Sequence, residues 1–115
     1  MVRLKFEDRK DFLLDFNFRN CTLNRSSFYG LTLKNQSFLD CKLIEVDFTE
    51  ADLTNVNFQY GHLDRAIFSH TILQKADFTK AMNCAIDPEI NQLKNARFSL
   101  EGLSGLLSKY QIKIE

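Results

Sequence analysis

The sequence has 115 residues, 44% of them hydrophobic, and its 15 basic and 15 acidic residues give a formal net charge of zero. This length favours a single domain with a packed core, and no apolar run approaches the roughly 20 residues that cross a bilayer. Three cysteines are an odd number, which argues against a disulfide framework, and no basic stripe favours direct nucleic-acid binding.

Residues 1–15 precede the regular pattern of the chain and are predicted to form an N-terminal cap. Three apolar residues alternate with two basic ones from Val2 to Phe6, which indicates a short strand. The end of a stack of strands exposes unpaired edges that need such a cover. Because this stretch lacks the continuous apolar core of a signal peptide, we expect a cytoplasmic protein.

Residues 16–80 carry a large apolar residue at every fifth position, and these residues are called the centres below. A period of five fits neither a helix nor a single alternating strand, but a fixed short period is typical of a solenoid. The residue two places before each centre is mostly small. The thirteen centres alternate strictly between Phe and Leu: Phe18, Leu23, Phe28, Leu33, Phe38, Leu43, Phe48, Leu53, Phe58, Leu63, Phe68, Leu73 and Phe78.

Each five-residue unit is predicted to form one side of a four-sided coil, so that one turn takes twenty residues. Successive turns would stack as parallel strands about 4.8 Å apart, which places residues twenty apart above one another. Phe centres then occupy two opposite sides, where stacked rings suit the offset geometry that aromatic pairs prefer. Gln36 is the one long polar residue in a small position, and it is predicted to swing out or to bond within its turn.

The units Ala51-Asp52-Leu53-Thr54-Asn55 and Ala76-Asp77-Phe78-Thr79-Lys80 resemble those of the pentapeptide-repeat family. The resemblance covers about 65 residues of the chain as repeats. It implies an all-β solenoid, specifically a right-handed quadrilateral β-helix. Within the family the sequence is most similar to bacterial members related to fluoroquinolone-resistance proteins, which protect DNA gyrase.

Residues 81–98 are predicted to form a loop and a last partial coil. The loop is expected over residues 83–95, since Asn83 stands where the next centre would be. Within it, Asp87-Pro88-Glu89 resembles a helix start, with an N-cap, a proline in the first helical place and an acidic first turn. Ala96-Arg97-Phe98 then restores one repeat unit.

Residues 99–115 are predicted to form a short α-helical cap that begins at Ser99, followed by a strand over residues 111–114. The leucines on one face of this helix need cover, which either the solenoid end or a second copy could supply. The resemblance implies dimerisation at this end, so we predict a homodimer through residues 98–114, with a monomeric cap as the alternative. The predicted dimer contacts are Leu100, Leu103, Leu106, Leu107, Tyr110 and Ile112.

Reactive groups in the sequence do not assemble into a recognisable catalytic, cofactor or metal site. His62 and His70 fall at outward positions, while Cys21 and Cys41 are predicted to lie inside as small core residues. No zinc-like spacing, nucleophile motif or phosphate-binding loop is present. We therefore predict a non-enzymatic protein with no cofactor, no metal and no small-molecule substrate.

The outer surface offers two candidate binding features. One is an acidic cluster on a single turn: Glu45, Asp47, Glu50 and Asp52. DNA mimicry by the whole solenoid is disfavoured, because residues 16–80 hold seven acids and seven bases, whereas a duplex carries one negative charge per roughly 1.7 Å. The other is a set of apolar residues at outward positions: Leu39, Ile44, Ile67, Ile72, Tyr29 and Tyr60.

These features predict a protein-interaction scaffold that is dimeric through its C-terminus and has no membrane or direct nucleic-acid partner. The alternative, implied by the resemblance, is a DNA-mimicking protein that binds DNA gyrase and protects it from inhibitors. The acidic cluster would then be the contact surface. A scaffold would instead bind its partner through the apolar residues at outward positions.

Overall fold

The computed structural model is described here for residues 17–107. The N-terminal cap predicted for residues 1–15 lies outside the described residues, as do Tyr110, Ile112 and the strand predicted over residues 111–114. The described elements are four short strands and one 3₁₀ helix. They are β1 (Asn17–Arg19), β2 (Ser37–Leu39), β3 (Asp77–Phe78), β4 (Arg97–Phe98) and the 3₁₀ helix (Leu100–Leu106).

The chain is wound into a β-helix in which residues twenty apart lie side by side. Strands β1 and β2 pair in parallel, and so do β3 and β4, each residue with the one twenty positions later. Isolated parallel bridges continue the same register, as between Thr22 and Lys42 and between Ser27 and Asp47. From residue 22 to residue 57 one bridge to the next turn starts beside each centre, four in every twenty residues. The coil therefore has four sides, each held by a strand of two or three residues or by a single bridge.

Backbone hydrogen bonds connect each unit to the turns on both sides of it. The N–H groups of Leu43 and Glu45 donate to the carbonyls of His62 and Asp64, at 2.8 and 2.9 Å. The N–H of Lys42 donates in the other direction, to the carbonyl of Cys21 at 2.8 Å. An interior turn thus leaves few backbone polar groups for water, which suits a short stack whose stability depends on neighbouring turns.

The corners of the coil require a left-handed backbone at one residue of every unit. The residue two places after each centre has φ between 52° and 68°, at all thirteen corners from Asn20 to Lys80. Most corners are tight turns in which the next unit bonds back to the centre, as from the Val46 N–H to the Leu43 carbonyl. Only Gly30 meets this requirement without a Cβ penalty, which is about 1–2 kcal/mol for other residues. The bonds between turns must offset that strain.

The centres fill the interior of the coil. All of them from Leu23 to Phe78 are buried, and Phe18 at the first turn is half-buried. The rings of Phe38 and Phe58 stack with centroids 5.5 Å apart, and those of Phe58 and Phe78 are 4.9 Å apart. A second Phe column packs edge-on against this one. Gln36 bonds within its own turn, through Nε2 to the carbonyl of Lys34 at 3.4 Å.

The repeat resumes earlier than the sequence predicted, and the expected loop over residues 83–95 is wrong at its C-terminal end. Gln92 bridges Ile72, and the Leu73 N–H donates to the Gln92 carbonyl at 2.8 Å. The repeat has therefore resumed by Gln92, still in the twenty-residue register. The predicted helical start at residues 87–89 is a single turn, in which Asp87 Oδ1 accepts from the Glu89 N–H at 2.9 Å.

The predicted α-helix after Phe98 is wrong over the described residues, where a 3₁₀ helix takes its place. Ser99 does not cap it, because its Oγ accepts instead from the backbone N–H of Lys80 at 3.3 Å. Gly102 and Gly105 lower the intrinsic helix propensity of this stretch. Gly105 also lies against the coil, since a Cβ there would sit 1.8 Å from the Cys84 carbonyl oxygen. Close docking and two glycines explain why a regular α-helix does not form.

Candidate functional site

The acidic cluster is built into the coil by contacts with its own neighbours. Glu45 at a corner lies between two arginines of the turns on either side, 3.3 Å from Arg25 and 3.6 Å from Arg65. The three residues form a column of alternating charge, since they are twenty residues apart. Exposed pairs of this kind contribute about 0.2–1 kcal/mol each. Two positive charges therefore flank the first carboxylate of the cluster.

The two aspartates of the cluster support the turns that follow them. Asp47 Oδ1 accepts from the N–H and the hydroxyl of Thr49, at 2.9 and 2.6 Å. Asp52 does the same for Thr54, and its other oxygen lies 3.6 Å from the Lys34 ammonium. Such Asp-to-backbone bonds are typical of turns and explain why the repeat favours Asp beside a centre.

Glu50, the fourth acid, accepts a hydrogen bond from the Tyr29 hydroxyl at 3.0 Å. This bond and the negative charge of Glu50 raise the pKa of Tyr29 above its ordinary value. Glu45 and Glu50 occupy successive corners, while Asp47 and Asp52 occupy successive sides. The four acids thus follow the chain around the coil and do not line up along one side.

The apolar residues predicted at outward positions differ in exposure. Ile67 and Tyr60 each expose 49% of their surface, and Tyr29 is also exposed. The remaining members, Leu39, Ile44 and Ile72, are half-buried. Ile67 stands directly beside Asp47 in register, and Ile72 stands beside Asp52. These two isoleucines on the sides of the coil are therefore adjacent to the acidic cluster on the neighbouring turn.

The C-terminal segment presents the most exposed large apolar side chain among residues 17–107. Leu100 is 83% exposed and Leu103 is 41% exposed, whereas Leu106 packs partly against the core. Leu107 is half-buried. No residue of the 3₁₀ helix is fully buried. The four described leucines of the predicted dimer contact thus lie at the end of the coil, where Leu100 is largely open to solvent and Leu103 is partly exposed.

Asn91 is a structural residue that the sequence analysis did not identify. It is buried, and its Oδ1 accepts from the Thr71 N–H at 2.8 Å while its Nδ2 donates to the Phe68 carbonyl at 2.9 Å. At other corners these two backbone groups would bond to each other directly. Here the carboxamide of Asn91 bridges the two groups and so completes the turn. The signal in the sequence is the register, because Asn91 stands twenty residues after Thr71 and two before Leu93, which is a leucine at a centre position.

The thiols and imidazoles do not form a reactive centre in the described part of the chain. All three cysteines are free thiols, and burial raises the pKa of Cys41 to about 11 and that of Cys84 to about 12. Both thiols therefore stay protonated at neutral pH. Within residues 17–107, no group of three or more His, Cys, Asp or Glu side chains could hold a metal ion.

Comparison with known families decides the classification. Residues 13–87, well over half of the chain, match the family model described as the pentapeptide repeat region. The chain belongs to the pentapeptide repeat family. The structure agrees with this family match, because residues twenty apart pair with one another and each five-residue unit carries a large apolar centre. No curated protein sequence matches the chain.

Solved structures similar to this pentapeptide repeat protein include two trypsin-treated forms of QnrB1, a plasmid-mediated fluoroquinolone resistance protein. Their TM-scores are 0.61 and 0.62 at 18% and 17% identity, over 84% and 86% of this chain and 46% and 48% of theirs. HetL, a pentapeptide repeat protein involved in heterocyst differentiation regulation in Nostoc sp. strain PCC 7120, has a TM-score of 0.61 and 18% identity, over 70% of this chain and 39% of its own.

These likenesses extend to the fold alone, because every identity is below 25%. The chain spans just under half the length of the QnrB1 structures and less of HetL. None of the helices in the described part of the chain has the length and apolar character needed to cross a membrane.

Proposed function

We propose that this pentapeptide repeat protein is a non-enzymatic protein-interaction module that pairs with a second copy through its C-terminal segment. The observation that carries the proposal is the exposure of Leu100, 83%, beside a partly exposed Leu103. Large apolar side chains grouped at one end of a molecule are typical of interaction sites. The proposal extends the contact to Leu106, Leu107, Tyr110 and Ile112, and it places the module in the cytoplasm, where its thiols remain reduced.

The end of the coil explains why a partner would bind there. Residues 81–107 follow the last complete run of centres, and Phe98 is stacked on Phe78 but is only half-buried. A second copy would cover Phe98 and the leucines together, and burial of apolar area contributes roughly 25 cal/mol per Å². The sides of the coil offer less, because their apolar residues are separated by polar ones.

Two surface substitutions test this assignment against a matched control. Leu100→Ser with Leu103→Ser should convert a dimer into a monomer, measured by size-exclusion chromatography with light scattering. Ile67→Ser makes the same aliphatic-to-hydroxyl change at an exposed residue on the side of the coil and should leave the mass unchanged. Dissociation by Ile67→Ser but not by the leucine pair would move the interface to the side of the coil and refute the proposal.

A second candidate function is binding of DNA gyrase by mimicry of DNA. Its support is the fold shared with QnrB1 and the net charge of −3 over residues 41–60, where four acids face one base, Lys42. The flanking arginines of Glu45 and the lysine beside Asp52 weaken this candidate, because they neutralise part of the acidic surface.

The inhibition of gyrase supercoiling by a fluoroquinolone distinguishes the two candidates. Our proposal predicts that adding the chain leaves the inhibition unchanged at low and at high salt. Mimicry would give protection that falls steeply with salt and that disappears in a variant with Glu50→Lys and Asp47→Lys. Glu101→Lys, a charge reversal of an exposed acid on the 3₁₀ helix, is the matched control.

A further inference from the structure

A polar cavity of about 560 Å³ opens at one corner of the coil, near its C-terminal end. It lies between two columns of residues spaced twenty apart. One column is the left-handed corner, and the other is the outward residue of the following side. Its polar lining residues are Asn55, Lys75, Asn95, Asn57, Asp77 and Arg97, and Val56 completes the lining.

The register of the coil fixes both walls of this cavity. Asn57 bridges Asp77, and Asp77 pairs with Arg97, so one wall is a continuous parallel ladder. The other wall consists of corner residues with φ of 59–63°. Lys75 and Asp77 are separated only by the small, buried Ala76. A small residue between two outward side chains leaves the space that forms the cavity.

The two cations of the cavity are offset only in part by Asp77, the one carboxylate among its lining residues, which forms no ion pair with either of them. Asp77 is the register partner of Arg97, yet its Oδ1 is held by the N–H and hydroxyl of Thr79, at 2.9 and 2.6 Å. Among residues 17–107, neither Lys75 nor Arg97 takes part in an ion pair. The cavity therefore has a net positive charge, carried by two side chains that have no acidic partner in the described structure.

Hydrogen-bond donors accompany this charge. Asn57 uses its Oδ1 to accept from the Gln59 N–H at 2.9 Å, so its NH₂ group remains a donor. The guanidinium of Arg97 is a planar fork that matches a carboxylate or a phosphate. We propose that this cavity binds a small organic anion that carries a carboxylate or a phosphate monoester. Its volume lies within the roughly 300–1,000 Å³ of small-molecule sites.

Amide chemical shifts of the full ¹⁵N-labelled chain test the proposal with benzoate and phenyl phosphate, which share one carbon skeleton. The titrations are run at constant ionic strength. At least one probe should give saturable shifts at Asn57, Lys75 and Arg97. Binding of benzoate alone would identify a carboxylate site, and binding of phenyl phosphate alone would identify a phosphate site. Binding of both would identify a site that recognises negative charge in general. Each of these outcomes supports the proposal.

Substitutions at the wall of the cavity sharpen this test. Lys75→Gln and Arg97→Gln should each weaken binding about tenfold, the expected loss for one charge-assisted hydrogen bond. Asp77→Asn should strengthen binding, because it removes the negative charge but keeps an oxygen for Thr79. Lys42→Gln, at an exposed lysine on another side, should change nothing. Shifts that do not saturate, that spread over all sides, or that persist at full affinity in Arg97→Gln would overturn the proposal.

Discussion

The regular coils bury their large apolar side chains, whereas the C-terminal segment leaves some of its leucines exposed. In the coils, Phe48 is fully buried between Phe28 and Phe68, with ring centroids 5.4 and 5.3 Å away. In the C-terminal segment, Leu100 and Leu103 lie on a 3₁₀ helix that buries none of its residues. Both stretches are rich in large apolar side chains. Among residues 17–107, only the first has a neighbouring turn on each side.

This difference shows that position in the stack matters more than residue type. A unit inside the coil receives backbone bonds and apolar contacts from the turn before and the turn after it. A unit at the end receives them from one side only, and its exposed surface remains available to a partner. In a solenoid, stability is approximately a sum of neighbour interactions, so the ends are where binding surfaces can form at little expense to the fold.

Phe48→Ala gives the largest expected contrast between the two regions. Removing this ring should lower the free energy of unfolding by about 3–5 kcal/mol, since the filled interior can collapse only partly around the cavity. Leu103→Ala, at a partly exposed residue of the 3₁₀ helix, should lower it by less than about 1 kcal/mol. Urea unfolding followed by circular dichroism measures both. Equal losses would mean that the end of the coil is as well packed as its middle.

Asn91→Ala tests the boundary at which the repeat resumes. It leaves the Thr71 N–H and the Phe68 carbonyl without their partner inside the coil, so unfolding should become easier by roughly 2–3 kcal/mol. The neighbouring control, Gln92→Ala, changes an exposed side chain and should stay within about 0.5 kcal/mol of the wild type. If the two variants are equally stable, the carboxamide does not complete the turn.

Gly105→Ala tests how the C-terminal segment is held against the coil. Its Cβ would collide with the Cys84 carbonyl oxygen, so the 3₁₀ helix should shift away, at a cost of about 1–3 kcal/mol. Gly102→Ala is the matched control, because a Cβ there meets its nearest atom at 3.7 Å. Hydrogen exchange of the Ile86 N–H, which donates to the Gly105 carbonyl, should accelerate only in Gly105→Ala. Unchanged protection in both would exclude this docking contact.

Glu45→Gln should have the smallest effect. The charge column through Arg25 and Arg65 is exposed, so its loss should change the free energy of unfolding by less than about 1 kcal/mol, and less at high salt. Thermal unfolding at low and high ionic strength measures the change. A larger loss that salt does not reduce would mean that Glu45 supports the corner through its backbone conformation.

Most of the coil could be predicted from the sequence because one short pattern repeats in it. The alternation from Phe18 to Phe78 predicts both the period of twenty and which residues stack. The end of the repeat could not be predicted in the same way. Asn83 and Pro88 occupy two successive centre positions and interrupt the pattern, and the turn that Asn91 completes depends on a hydrogen bond to Thr71 that no local preference indicates.

The surfaces were less predictable than the core. The four acids from Glu45 to Asp52 could be located from spacing alone, but their ion pairs with residues of other turns could not. The α-helix predicted after Ser99 illustrates the same limit. Its leucine spacing favours a helix, whereas the close approach of Gly105 to Cys84 is a tertiary contact that the sequence does not reveal.

The mass of the full chain in solution tests the central claim most directly. Light scattering over a dilution series should give 26.8 kDa, twice the 13.4 kDa of one chain, and a chain ending after Phe98 should lose this association. A full-length mass of 13.4 kDa at every concentration would contradict the account, because the exposed leucines would then serve no second copy.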